Sequence, residues 1–170
     1  MTAVDTDLLV LDVVTRWSVD AAVLLVTGAS FFAAGLAGEG AARGIISGAV
    51  GFVIGTLSDR LTSSLPSPER LASAAAPPDG FRRASLRRYI LETVCSVGVL
   101  YALFAGLMWV WGNPSMFALV GGWLAAFGVV RIYGAAGARR IERLDQVVLL
   151  VGIGSWRKRT RGYYASRITR

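Results

Sequence analysis

Chemistry at a protein site needs a nucleophile with a base, a pair of carboxylates or a cluster of metal ligands, and this sequence supplies almost none of them. It contains no histidine and a single cysteine, Cys95. That removes disulfides within the chain and every familiar zinc site, which takes several His or Cys ligands. Cys95 sits in an apolar run with no neighbouring base or cation to lower its pKa, so it reads as a small buried hydrophobe rather than a reactive thiol. Gly121-Gly122 and Gly152-Ile153-Gly154 lack the strand context and spacing of a nucleotide-binding fingerprint. Arg82-Arg83-Ala84-Ser85 has the form of a basic phosphorylation motif, but the match is short. No catalytic residue, cofactor or metal is expected, and the chain reads as a non-enzyme.

Two other patterns are strong. The first is the placement of the cations. Arg16 precedes Asp20, six basic residues lie between Asp59 and Glu92, ten follow from Arg131 onward, and Arg43 stands alone. Between them run the uncharged stretches 21–38, 44–58 and 93–130. The paired Arg82-Arg83 and Arg87-Arg88, and the tail Arg157-Lys158-Arg159-Thr160-Arg161, flank apolar segments. Guanidinium groups so placed sit well in a headgroup layer, so the net charge of +7 points to anionic lipid rather than to nucleic acid. Lys158 is the only lysine, a usage that reads as a high-GC, prokaryotic genome.

The second pattern is a glycine stripe. Gly40, Gly44, Gly48, Gly51 and Gly55 recur every three or four residues and fall on one helical face, a glycine zipper. Ala22, Ala29, Ala33 and Ala37 are spaced to supply a partner face. Such a stripe specifies close packing, whether in a hairpin within one subunit, at a homo-oligomeric seam, or around a pore.

The elements that must carry these residues follow from hydropathy. With 54% hydrophobic and 17% charged residues, the chain is too apolar for an ordinary soluble domain, in which about a quarter of residues are charged. The expected fold is an all-α polytopic membrane protein: one membrane domain, 1–170, with four transmembrane helices arranged as two hairpins. The spans are placed at 21–37, 42–57, 93–111 and 115–133. The 18 uncharged residues of the first (21–38) rise about 27 Å, close to a bilayer core of about 30 Å. The second is short, and its flanking charges must snorkel. Trp109 and Trp111 mark one interface, Tyr89 and Tyr133 the other. Thr27, Ser30, Ser47, Ser96 and Tyr101 are polar groups at membrane depth, expected to bond to a neighbouring backbone carbonyl rather than to a substrate.

Three further segments flank the spans. Residues 6–20 read as an amphipathic helix with Asp5, Asp12, Arg16 and Asp20 on one face. Its acidic strip, Asp5, Asp12 and Asp20, either lies at the headgroups or docks a basic partner; the acidic start is the opposite of a secretory signal's basic one. The 59–92 loop is punctuated by Leu65-Pro66-Ser67-Pro68 and Ala76-Pro77-Pro78-Asp79-Gly80, with one or two helical turns between them and a basic run-in, Phe81 to Tyr89, to the third span. Residues 139–156 read as an interfacial helix ending at Trp156, since its apolar stretch reaches only about 16 Å, and 157–170 as a basic tail.

Four crossings place both termini and the 59–92 loop on one side, leaving Arg43 alone on the other. Positive-inside bias assigns the basic side to the cytoplasm of a cell membrane. The expected function is a non-catalytic integral membrane subunit or scaffold. Its arginine segments would engage anionic headgroups or protein partners. The alternative is a small oligomeric channel, holin-like or transporter subunit packed through the glycine stripe. The four-span size is similar to that of small multidrug transporters, but those carry an acidic residue within the first span and this chain has none. A basic tail after short glycine-rich spans resembles phage holins in architecture only.

Overall fold

The computed structural model describes residues 9–62, 66–77, 81–111, 113–153 and 160–167. Among these described residues five helices and four strands occur, in the order β1 (Leu9–Asp12), α1 (Val13–Glu39), α2 (Ala41–Thr62), α3 (Pro68–Ala72), β2 (Arg82–Arg83), α4 (Leu86–Trp111), α5 (Pro114–Asp145), β3 (Val147–Ile153) and β4 (Thr160–Arg167). The fold is mostly helical, and α1, α2, α4 and α5 are each long and apolar enough to cross a membrane. The chain divides into two compact units: Val19–Ser64 with Ile90–Ile132, and Met1–Ser18 with Leu65–Tyr89 and Tyr133–Arg170.

The first of these is the helical unit, and small residues set its packing. Gly28 of α1 meets Gly121 of α5 so closely that a Cβ on Gly28 would stand 2.8 Å from the Gly121 carbonyl oxygen. Gly35 meets Ala118 and Gly128 meets Leu25 along the same pair of helices. Phe31 is fully buried, its ring 4.5 Å from Tyr101 of α4 and 5.8 Å from Phe117 of α5. Gly40, at φ +85°, makes the left-handed break between α1 and α2 that a side chain would disfavour.

Outward, α2 exposes Ile45, Ile46, Val50, Val53, Ile54 and Leu57, and α4 exposes Ile90, Leu91, Val94, Val99, Leu103 and Phe104. Apolar surface on this scale is foreign to a protein bathed in water and ordinary against hydrocarbon. Three of the hydroxyls bond to carbonyls as expected: Thr27 donates to the Val23 carbonyl at 2.8 Å, Ser30 to Val26 at 2.9 Å and Ser96 to Glu92 at 2.7 Å. Cys95, expected to be buried, is exposed on α4.

The second unit is built on a sheet, and here the all-α expectation is corrected. The strand order is β2-β1-β3-β4, with β1 parallel to β2 and antiparallel to β3, and β3 antiparallel to β4. The helix expected over 6–20 is a strand at Leu9–Asp12 before α1 begins. The helix expected over 139–156 is instead the end of α5, which runs unbroken through Gly134 and Gly137 to Asp145, and then β3. The basic tail contains β4, and within the basic run-in to α4 Arg82-Arg83 form β2.

The physical reason lies in Val147-Val148-Leu149-Leu150-Val151. This valine-rich apolar run has both faces covered in the folded chain, with Leu149 and Val151 on one and Leu150 on the other all buried. Val10 and Leu150 pack with Phe81, Val148 and Tyr164 on one face of the sheet. On the other face Trp17 of α1 meets Tyr163 edge-on, centroids 6.4 Å apart. The short α3 falls where helical turns are expected between the prolines, with Ser67 capping it through Arg70 N–H.

Candidate functional site

The glycine stripe does not act as one seam. Gly44 faces Leu36 and Gly48 faces the Phe32 ring, both on α1. Gly51 and Gly55 face α5: a Cβ on Gly51 would fall on the Leu119 carbonyl, and one on Gly55 would stand 2.7 Å from that of Trp123. Gly122 of α5 answers in kind, its missing Cβ directed at the Gly48 carbonyl. Gly40 is exposed with nothing near it. The expected alanine partners are misplaced, since Ala22, Ala29, Ala33 and Ala37 are all exposed. The α1 residues that receive the stripe are Phe32 and Leu36; the signal that marks the α1–α5 contact is the second set of glycines, Gly28 and Gly35 with Gly121 and Gly128.

The arginines are brought together by unit if not by contact. Every basic residue except Arg43, Arg60 and Arg131 belongs to the unit that carries the sheet. Within it, Arg82 and Arg83 are exposed on β2, in register with Leu9 and Val10, and Arg87 and Arg88 are exposed in the first turn of α4. Arg161 lies in β4. Arg157, Lys158, Arg159, Trp156 and Asp5, and the Trp109 and Trp111 side chains, lie outside the described residues.

The acidic strip is not a single helical face, because β1 interrupts it. Asp12 ends β1 and caps α1, its Oδ1 accepting the Thr15 N–H at 2.7 Å, while Asp20 lies a turn and more into α1. A carboxylate that sequence reasoning missed, Glu142, has a clearer structural task. β1 runs out opposite Leu150, and one residue further along β3 the Leu149 N–H is taken by Glu142 Oε1 at 2.9 Å. This bond ties the sheet to the charged end of α5. Gln146, at φ 52°, makes the left-handed turn that folds β3 back towards Glu142.

Glu142 follows Arg139 and Arg140, well beyond Tyr133, where the apolar part of α5 ends. Burial pushes its carboxyl above the ordinary value of 4.5, and nearby Asp12 adds to that; the Leu149 N–H and Arg139 pull it down. A carboxyl raised on folding binds its proton more tightly in the folded chain. Its contribution is therefore complete below the ordinary value and is lost as pH rises through the raised one. Glu142→Gln keeps a carbonyl oxygen for Leu149 and does not titrate. Thermal unfolding of the variant should therefore fall less between pH 4.5 and neutrality than that of the parent. Identical pH profiles would remove Glu142 as the source.

A groove of about 540 Å³ lies within the same unit, lined by Trp17, Leu71, Gly137, Ala138, Arg140 and Ile141 among others. No group of three or more His, Cys, Asp or Glu side chains able to hold a metal occurs among the described residues.

The chain is mostly helical and carries four helices long and apolar enough to cross a membrane, the pattern of a multi-pass membrane protein. The chain matches no protein-family model, no curated protein and no solved structure.

Proposed function

We propose that the chain is a non-catalytic integral membrane subunit or scaffold of the cell membrane. It crosses four times, with both termini cytoplasmic, and docks anionic lipids or protein partners through its arginine-rich segments. The observation that carries the reading is the division of charge. The two connections on one side of four crossings, at Gly40 and Asn113, have only Arg43 beside them, and the sheet-containing unit takes nearly all the other cations. Arg82, Arg83, Arg87 and Arg88 are exposed there to meet a partner or a headgroup layer.

A second reading, an oligomeric channel or transporter subunit, is favoured by one feature. Helix α4 is exposed along most of its length, with Gly98 and Gly106 in open space where another copy can pack.

Two measurements test the pair. In intact cells an impermeant thiol reagent should label Asn113→Cys in a Cys95→Ala background, and labelling only after the membrane is opened would invert the orientation. Reconstituted in liposomes, the scaffold should pass no ion or small solute above empty vesicles. Flux through it would favour the second reading.

A further inference from the structure

The groove in the sheet-containing unit is a site for one acyl chain of an anionic phospholipid, we infer, with Arg140 holding its phosphate. The inference rests on the membrane reading above and goes beyond it by naming a site that the arginine pattern does not point to. Tyr133, Gly134, Gly137, Ala138, Ile141 and Leu144 form one stripe of α5, and Leu71 of α3 and Trp17 of α1 wall it. From Tyr133 to Leu144 the stripe runs about 16 Å along the helix, and its volume of about 540 Å³ falls within the about 300–1,000 Å³ usual for small-molecule sites.

Three observations identify the occupant. The floor is open because Gly137 has no heavy atom within 4 Å of where a Cβ would stand, so a chain can lie against the helix backbone. The walls are apolar, with Trp17 and Leu71 themselves buried, while Tyr133 and Leu144 at the two ends are 74% and 72% exposed. Among the described residues Arg140 is the only charged side chain lining the groove, and its neighbours Arg139 and Arg143 add positive charge on the same turns. An apolar trough with a cation at its edge is complementary to a hydrocarbon chain with an anionic head. The groove also starts at Tyr133, where the apolar part of α5 gives way to its charged part. Arg140 lies about 10 Å further along the helix, so an acyl chain whose phosphate it holds runs back along the trough toward the apolar part.

The test uses the full chain in nanodiscs containing either phosphatidylglycerol or phosphatidylcholine with a photoactivatable group on one acyl chain. Crosslinked peptides are mapped by mass spectrometry. Phosphatidylglycerol should label the 133–144 segment and Leu71. Gly137→Phe, placed in open space and so compatible with folding, should reduce that labelling about tenfold by filling the trough. Arg140→Gln should reduce it about threefold to fivefold, the loss of one partly screened ion pair, and should reduce phosphatidylcholine labelling less, because the choline cation already offsets that lipid's phosphate. Labelling along α2 and α4 with none in the groove would overturn the site and leave the membrane reading standing. An absence of crosslinks anywhere would overturn the membrane reading itself. Equal groove labelling by the two lipids, its persistence in Gly137→Phe, or its displacement by free oleate alone would each reject an anionic phospholipid as the occupant.

Discussion

With leucine in place of Gly51, the helical unit should fail to assemble, and the protein purified in mild detergent should run as aggregate rather than as a single species. The Cβ alone falls on the Leu119 carbonyl, with the Leu119 Cα 3.0 Å away, so the obstacle is backbone and cannot rotate aside. The contact is reciprocal, since a Cβ on Gly122 would fall on the Gly48 carbonyl and stand 3.0 Å from the Phe52 nitrogen. Between 48–52 and 119–122 the two helices therefore touch main chain to main chain, and a side chain must separate them along that length. Overpacking costs about 1–3 kcal/mol and sometimes more, against a total stability of about 5–15 kcal/mol. Here the separation would also strip the neighbouring Gly48 and Gly55 contacts.

The same substitution elsewhere gives a graded comparison. Gly48→Leu meets the Phe32 ring, which can turn, and should cost less. Gly98→Leu enters open space on α4 and replaces a residue that costs a helix about 1 kcal/mol relative to alanine, so it should be neutral or stabilising. Thermal unfolding of the three variants in one detergent measures the order. If Gly51→Leu and Gly98→Leu unfold together, the glycine stripe does not pack within the chain.

The second large effect is expected at Val10→Asp. Val10 is fully buried in β1, packed with Leu150, Phe81, Val148 and Tyr164, and its carbonyl accepts the Ala84 N–H at 2.8 Å. A carboxylate there has no cation among those side chains, and burying a charge without one costs several kcal/mol. β1 should leave the sheet, taking with it the register that holds Arg82 and Arg83 beside Leu9 and Val10. Trypsin should then cut at Arg82 and Arg83 far faster than in the parent. Amides of 147–153 should lose protection from hydrogen exchange, while those of 19–62 and 90–111 keep theirs. Val10→Ala should show the same pattern more weakly. Unchanged cleavage at Arg82 and Arg83 would show that β1 does not hold that segment.

How much of this was legible beforehand can be judged residue by residue. Thr27, Ser30 and Ser96 were readable because a hydroxyl in an apolar helix has a carbonyl of its own helix within reach, whatever surrounds it. The stripe at Gly44, Gly48, Gly51 and Gly55 was readable as a packing face because helical periodicity alone aligns it. Its partners were not readable: alanines and glycines are both small, and spacing cannot tell Ala29 and Ala33, which are exposed, from Gly28 and Gly35, which are in contact. Glu142 gave no signal at all, because its role depends on where β1 happens to end.

The amino-acid sequence by itself determined four long apolar helices, their order along the chain and the placement of the cations around them. These are local properties: the hydropathy of a window and the charge at its ends do not depend on what the chain does elsewhere. Only the tertiary structure decided the sheet. Leu9–Asp12 and Val147–Ile153 are short apolar runs that measure equally well as interfacial helix or as strand, and each is a strand through its pairing with other segments, Leu9–Asp12 with Val147–Ile153 and Val147–Ile153 also with Thr160–Arg167. Backbone hydrogen bonds within a helix are made between neighbours four residues apart, whereas those of a sheet join segments at opposite ends of the chain. For that reason the helices were visible in the sequence, and the unit that gathers the arginines was not.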